Sequence, residues 1–534
     1  MMKKKIYYIL SLALVGMTLV SCDDFLDTMP DNRTTIDSES KVQSIITSAY
    51  PDVTCALVTE TMSDNVDNCG DANPYTDRFY DQVYGWKDIT EVDNDAPESF
   101  WDKTYSAIAN ANLALEGIEN LGGATTATLK ELKAEALLAR AYNHFMLVNV
   151  FCKGYNKNTS DKDLGMAYIE KPMTELVPNV PRGTVAEDYK KIDRDIQEAL
   201  PMVGDGHLSS PKYHFNARAA YAFACRFYLY YEKWDEAIKY ANLCLGANPK
   251  TLLRDWSYIG TMTQDIDAVS QHYIKSDLNC NLLLTTAVSN LGATYSAYYI
   301  NTKYSHSNYT ASREDALASN IWGSAKFYEP IRVYQGTNFD KTIFWKIPFL
   351  FEYTDQVAGI GYRRTVIPAF TTDECLLNRA EAYIMMKDYD KAAKDLTIWM
   401  QNIVNTNMTL TPSNITEFYN SVGYSYEVTD DDPQGITSTI KKHLNPDFEI
   451  EQEGSTQESM LQCVLGFRRI ETLHQGMRWF DIKRYGIEIP RRTLNAKGLL
   501  AQKTDMLTKD DDRRAIQIPQ KVIDAGVTPN PRNN

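Results

Sequence analysis

Two short stretches of this 534-residue chain crowd aromatic rings among polar side chains. Residues 75–86 hold Tyr75, Phe79, Tyr80, Tyr84 and Trp86, interleaved with Asp77, Arg78, Asp81 and Gln82. Residues 295–309 hold Tyr295, Tyr298, Tyr299, Tyr304 and Tyr309, with Asn301, Lys303 and Asn308 between them. This mixture suits recognition of a ligand with apolar faces and hydroxyl edges. A ring offers a flat face and has only two torsions to freeze, while amides, carboxylates and guanidinium groups read hydroxyls. A pyranose presents both kinds of surface. The candidate ligand residues are therefore Tyr75, Tyr80, Tyr84, Trp86, Tyr295, Tyr298, Tyr299, Tyr304 and Tyr309. A peptide held through its backbone amides would use the same loops, and the sequence does not separate the two.

Catalytic patterns are missing from the sequence. It has no G-x-S-x-G elbow and no glycine-rich phosphate loop. The seven histidines (144, 207, 214, 272, 306, 443 and 474) show no HxxxH or HExxH spacing, so no zinc site is assigned. Asp430–Gly435 lacks the alternating oxygen ligands and distal glutamate of a calcium loop. A surface glycosidase would need two carboxylates about 5–9.5 Å apart across a cleft, and no local motif nominates a pair. No catalytic residue, metal or cofactor is assigned. The formal charge of −15 argues against nucleic acid as a partner.

The N-terminus carries a different chemistry. Lys3, Lys4 and Lys5 precede an apolar run from Ile6 to Val20, a pattern that reads as a secretory signal over residues 1–21. Leu19-Val20-Ser21-Cys22 resembles the lipobox of bacterial lipoproteins. That resemblance implies acylation of Cys22 and a membrane anchor of several acyl chains, each buried methylene adding roughly 0.8 kcal/mol. Residues 22–37 then read as anchor and polar tether, with Asp23-Asp24 resembling an acidic sorting signal toward the outer face of an outer membrane. None of the eight later cysteines forms a CxxC pair. Cys225, Cys244 and Cys375 sit in apolar helical patterns, and Cys55 with Cys69 could bridge in an oxidising compartment, though nothing in the sequence requires it.

Helical periodicity dominates the rest. Trp101, Tyr105, Ile108, Asn112, Leu115 and Ile118 recur at intervals of three and four, and Leu137, Ala141, Phe145 and Val148 share one face. Thr184-x-x-Glu187 behind Pro181 reads as a capping box opening a helix that Pro201 closes. Residues 221–249 and 376–404 share a tetratricopeptide-like spacing: Tyr228 precedes Ala237 by nine residues, as Tyr383 precedes Ala392. The second copy departs from it at Trp399 and Val404. Between the copies, about 251–372 is rich in Asn, Ser, Thr, Gly and Tyr, with β-like runs such as Ile343–Ile347. Long irregular segments of this kind usually carry function.

Several separated blocks resemble one family, the SusD-like (RagB/SusD) nutrient-uptake lipoproteins. The longest is Gln475-Gly476-Met477-Arg478-Trp479-Phe480-Asp481-Ile482-Lys483-Arg484-Tyr485-Gly486, which looks like the family's E-G-x-R-W-F-D-L-K-R-x-G with Gln475 where Glu is common. Phe467–Ile470, Leu138–Tyr142 through Phe151, Pro181–Val185, Arg379–Tyr383, Ile516–Gln520 and Asn530-Pro531 also match. The resemblance implies a mainly α fold: tetratricopeptide-like pairs forming a scaffold under a loop-rich ligand-binding face with minor β. It further implies a non-enzymatic protein that captures oligosaccharides, or in one branch peptides, for a TonB-dependent (SusC-like) outer-membrane transporter. A protein-binding helical-repeat adaptor is a further reading, which predicts no aromatic clustering in loops. The expected organisation is one domain over 38–534, with helical scaffold at about 99–250 and 373–404, the ligand region at about 251–372 and a C-terminal block at 460–534. In that block Phe467, Ile470, Leu473, Met477 and Phe480 space as a buried face. Arg468, Arg469, Glu471, Arg478, Asp481 and Arg484 are left to pair with acids or bases, a structural role.

Overall fold

The computed structural model describes residues 36–70, 76–172, 180–336 and 339–532. Cys22 and most of the tether, with Tyr75, lie outside the described residues. Among the described residues no helix is long and apolar enough to cross a membrane.

The first half is a helical stack: α1 (Glu39–Ile46), α2 (Ala56–Met62), α3 (Arg78–Tyr84), α4 (Pro97–Asn120), α5 (Ala127–Phe151) and α6 (Val185–Ala199). The periodic residues of 101–118 lie on α4, where Ile108 and Ile118 are fully buried. α5 packs between α4 and α6 and buries nearly every face of its second half, not the single face its periodicity suggests. α6 opens on the expected capping box: the Thr184 hydroxyl accepts from the Glu187 amide (3.2 Å), and the Glu187 carboxylate accepts from the Thr184 amide (2.9 Å). The helix gives way at Leu200-Pro201, since proline cannot donate to the ladder.

The two helical pairs are α7 (Ala217–Tyr230) with α8 (Trp234–Leu245) and, after the short α9 (Leu291–Tyr295) and α10 (Asn308–Glu314), α11 (Thr372–Met385) with α12 (Tyr389–Ile403). Ala237 and Ala392 are fully buried where the helices of each pair close on one another. Although far apart in sequence, the pairs are neighbours, with α11 packed on α7 and α8. Trp399 departs from the repeat because α12 serves a second contact. Its indole stacks on Phe467 (centroids 4.7 Å apart) and donates to the Glu471 carboxylate (2.9 Å). Both partners belong to α13 (Thr456–Glu471), which precedes α14 (Arg478–Arg484).

The strands are short and lie mainly between the helical pairs. β1 (Asp67–Asn68), β3 (Tyr304–Ser305), β8 (Ile489–Leu494) and β9 (Leu500–Leu507) form one sheet in the order β3-β1-β8-β9. β2 (Asn281–Val288), β6 (Leu350–Asp355) and β7 (Ile360–Thr371) form a second in the order β2-β7-β6, and β4 (Arg332–Gly336) pairs with β5 (Phe339–Ile343). The β-like run at 343–347 is strand only at its first residue, for Trp345 takes a left-handed backbone (φ 56°) that ends extension. Cys55 and Cys69 are not bridged to each other; the Cys69 thiol instead faces the Asp340 carbonyl at 3.5 Å.

The arginines of the C-terminal block are buried and paired. Arg468 grips Asp481 through two bonds (2.9 and 2.7 Å) and also reaches Glu381, which further accepts from Arg484 (2.5 Å) and Tyr485 (2.7 Å). Burial pushes the Glu381 pKa up, but the Arg468 and Arg484 charges and the bonds from Arg484 and Tyr485 outweigh it and hold the group at about 2. A carboxylate depressed from 4.5 to about 2 contributes stability that is fully present above its unfolded value and lost as pH falls through its folded one. The contribution is roughly 3 kcal/mol. Glu381→Gln is therefore expected to lose roughly 3 kcal/mol in urea unfolding at pH 7, with the deficit shrinking between pH 4.5 and 2. A deficit independent of pH would contradict this account.

Candidate ligand-binding site

α3 begins where the Asp77 side chain caps it, accepting from the Tyr80 amide at 3.1 Å. That start fixes Tyr80 and Tyr84 one turn apart, and each ties α3 to the second aromatic stretch. The Tyr80 hydroxyl meets the Thr294 hydroxyl at 2.9 Å. Tyr84 stacks on Tyr304 (4.3 Å, 19°), whose own hydroxyl donates to Asp81 at 2.6 Å. β1 pairs antiparallel with β3 directly beneath, setting Asn68 opposite Tyr304. Two clusters more than 200 residues apart in the chain thus form one surface.

A cavity of about 160 Å³ opens at their junction. Tyr80, Tyr299 and Tyr304 supply its rings; Asp77, Asp93, Asn290, Thr302 and Arg363 supply its polar lining. Arg363 on β7 donates to Asn290 Oδ1 (2.8 Å) and to the Tyr299 hydroxyl (2.6 Å), with its guanidinium 5.2 Å from the Tyr299 ring centre. Tyr298, 46% exposed, stacks on Phe349 beside it (4.0 Å, 15°). This is a set of ring faces with hydroxyl-reading groups converging on one small space.

Buried groups hold that arrangement from behind. Asp95 accepts from the Ser289 hydroxyl and from the Asn290 amide (2.7 Å), which fixes Asn290 at the head of α9. Burial pushes Asp95 up to about 7. Lys341 on β5 is fully buried and donates its ammonium to the carbonyls of Thr294 and Tyr299, bracing both ends of the loop that carries Tyr298 and Tyr299. Burial pushes Lys341 down to about 7.

Of the residues anticipated from sequence, Tyr80, Tyr299 and Tyr304 line the cavity and Tyr298 flanks it. Tyr84, Trp86 and Tyr295, at 5%, 2% and 2% exposure, line no part of this cavity, which corrects the expectation for them; Tyr304, at 7%, is nearly as buried and stays a candidate only because it borders the cavity. Trp86 donates to the Met62 carbonyl (2.9 Å) under Arg491, and Tyr295 stacks on His474 with its hydroxyl on Thr61. Tyr309 is half-buried between Arg313 and Arg492, away from the cavity. Arg363, Asn290 and Lys341 carried no sequence signal, because only strand register and tertiary packing bring them to the site. A larger depression of about 480 Å³ lies between Gly260 and residues 316–331. Its lining also brings together rings (Trp322, Phe327 and Tyr328) and polar groups (Gln264, Ser324, Lys326 and Glu329), but Trp322 is 6% exposed and packed edge-on against Phe327 (5.3 Å, 82°). Among the described residues no three His, Cys, Asp or Glu side chains are arranged to hold a metal.

Two family models match successive parts of the chain. One described as "Starch-binding associating with outer membrane" covers residues 24–229, and one described as "SusD family" covers 292–525. The chain belongs to the SusD family. Its fold is similar to that of a putative sugar binding protein from Bacteroides vulgatus (19% identity, TM-score 0.64, covering 93% of this chain and 99% of that one). It is similar also to a SusD superfamily protein from Bacteroides thetaiotaomicron (18%, 0.60, 93% and 100%) and to a SusD-like carbohydrate binding protein from Bacteroides vulgatus (15%, 0.59, 91% and 96%). No curated protein matches the sequence.

The SusD-family blocks of this chain are structural ties. Arg140 forms two bonds to Asp195 (2.7 and 2.9 Å), and Arg379 does the same with Asp395 (2.8 and 2.8 Å). Near the C-terminus, Asn530 donates to the carbonyls of Phe151 (2.7 Å) and Ile516 (2.8 Å), sealing the end of α5. The cavity-lining residues lie outside these blocks. Lys341→Met would leave two buried carbonyls without their donor, worth about 1–3 kcal/mol. Amide exchange over residues 294–303 is expected to quicken by about tenfold in that variant. Unchanged exchange there would show that Lys341 does not brace the loop.

Proposed function

We propose that this chain is a non-catalytic, lipid-anchored cell-surface protein that captures an oligosaccharide and passes it to a TonB-dependent outer-membrane transporter. The observation that carries the reading is the cavity in which Tyr80, Tyr299 and Tyr304 meet Asn290 and Arg363. Rings there would stack on sugar C–H faces, while the amide and guanidinium take hydroxyls. The family description "Starch-binding associating with outer membrane" and the sugar- and carbohydrate-binding proteins of similar fold support the ligand class and the location. Acylation of Cys22 would supply the anchor. Affinity should be modest, since a delivery protein must release what it holds.

Catalysis has little to work with in the cavity. Asp77 caps α3, Asp93 accepts from the Asn94 amide (2.5 Å), and Asp95, pushed up to about 7 by burial, lies beneath the site with both carboxylate oxygens occupied. The test is native affinity electrophoresis of residues 23–534 through gels containing xyloglucan, galactomannan, levan, amylopectin or a uronic-acid polymer. Retardation by one of these polysaccharides is expected, and Tyr299→Ala should weaken it by about tenfold or more. Trp86→Ala should instead cost about 3–5 kcal/mol of stability, because it empties a core site. Retention of full binding by Tyr299→Ala would move the ligand site elsewhere, and no retardation by any polysaccharide would favour a peptide ligand.

A further inference from the structure

The cavity is smaller than its task. Pockets that enclose a small-molecule ligand usually hold about 300 Å³ or more, against about 160 Å³ here. One sugar unit would fill it, and the rest of any larger ligand must lie on the surface alongside. That surface is the β6–β7 hairpin. Tyr353, Val357, Ile360 and Tyr362 are all more than half exposed within ten residues, the densest run of large exposed apolar side chains among the described residues.

The register of the hairpin sorts these residues by face. Phe351 is opposite Arg363 and Tyr353 opposite Gly361, whereas Leu350 is opposite Arg364 and Glu352 opposite Tyr362. Directly opposed residues share a face of the sheet. One face therefore carries Phe351 and Tyr353 beside Arg363, whose guanidinium reaches into the cavity. The other carries Glu352, Arg364 and Tyr362, with Glu352 ion-paired to Arg364. Phe349, two residues before Phe351, stacks on Tyr298, which meets Tyr299 at the cavity wall (4.9 Å). Phe351 in turn contacts Tyr353 edge to face at 4.7 Å. Two ring groups thus lie along one path: Tyr299, Tyr298 and Phe349 in contact beside the cavity, and, two residues on, Phe351 with Tyr353 on the hairpin face that Arg363 shares.

Gly361 is part of this surface. A Cβ placed there would come within 2.0 Å of the Glu352 carbonyl oxygen and 2.8 Å of the Phe351 ring, so both the close strand pairing and the ring lying across it need a glycine. Alternate positions 349, 351 and 353 span roughly 13 Å at about 3.3 Å per residue, a length of roughly two to three sugar rings.

We propose that the ligand is a glycan polymer that places one unit in the cavity and continues along the Phe349–Phe351–Tyr353 face of the hairpin, a second stacking platform that makes binding depend on chain length. The proposal rests on the reading of the cavity as a sugar site. The occupant follows from two features: the strip adjoins the cavity wall, through Phe349 on Tyr298 and through Phe351 opposite Arg363, and it consists of flat rings at alternate positions, a surface suited to sugar faces.

The experiment is isothermal titration of residues 23–534 with whichever of xyloglucan, galactomannan, levan or amylopectin retards it, and with the disaccharide and hexasaccharide fragments of that polymer. The Phe351→Ala/Tyr353→Ala double variant should bind the hexasaccharide about tenfold more weakly and the disaccharide unchanged. Tyr299→Ala should lose both, and Tyr362→Ala, altering only the opposite face, should lose neither. Equal loss in Tyr362→Ala would assign the effect to hairpin folding and overturn the proposal. Native hexasaccharide affinity in the double variant, with loss in Tyr299→Ala, would overturn the platform and leave the cavity reading intact. Absence of glycan binding by the native protein would overturn both.

Discussion

Asp64, Asp67 and Glu314 stand in the interior only because three arginines from the C-terminal part of the chain meet them. Arg478 grips Asp64 through two bonds (2.8 and 2.9 Å), Arg469 lies between Asp64 and Glu314, and Arg492 joins Asp67 to Glu314. Burial alone would raise Glu314, but Lys442, Arg492 and Arg469 hold it well below the usual carboxylate range. The acids come from the segments on either side of the candidate site: Asp64 and Asp67 lie between α2 and α3, and Glu314 ends α10 just after β3. Taking such charges out of water costs several kcal/mol per ion, so each is tolerable only while its partners stay in place. The consequence for the site is geometric. The same network that closes the core fixes β1 against β3 and β8, and with it the stacking of Tyr84 on Tyr304 that joins the two aromatic stretches.

Much of the scaffold is legible in the chain because its signals are local. A capping box, a proline stop and the spacing of Tyr228 to Ala237 act within one or two helical turns, and they fold as read. The charged C-terminal block is legible for a related reason: apolar residues at helical spacing leave the arginines between them no choice but to be paired. The departure at Trp399 has a tertiary cause, a docking surface for Phe467 and Glu471 that no window around residue 399 contains.

The candidate site is legible only in outline. Ring-rich stretches at 75–86 and 295–309 mark where the surface forms, yet composition cannot say which rings face outward. Trp86 and Tyr84 turn inward to Arg491 and Arg492, while Tyr299 turns outward to Arg363. Asn290, Lys341 and Arg363 are ordinary residues in sequence, brought to the cavity by the register of β7 on β2 and β6 and by the depth of β5. A protein that holds and releases a ligand has little need of a deep, rigid cleft. A shallow cavity backed by a buried lysine and flanked by exposed rings fits that requirement, because each contact is weak and the number of contacts sets the affinity.

On the proposed reading, Tyr80, Tyr299 and Tyr304 with Asn290 and Arg363 form the ligand site. A crystal structure of residues 23–534 soaked with a hexasaccharide of the polysaccharide that retards the protein tests it most directly. A sugar ring is expected against Tyr299 in this cavity, with hydroxyls on Asn290 or Arg363. Density instead in the depression beside Trp322 and residues 316–331, with the tyrosine cavity empty, would contradict it.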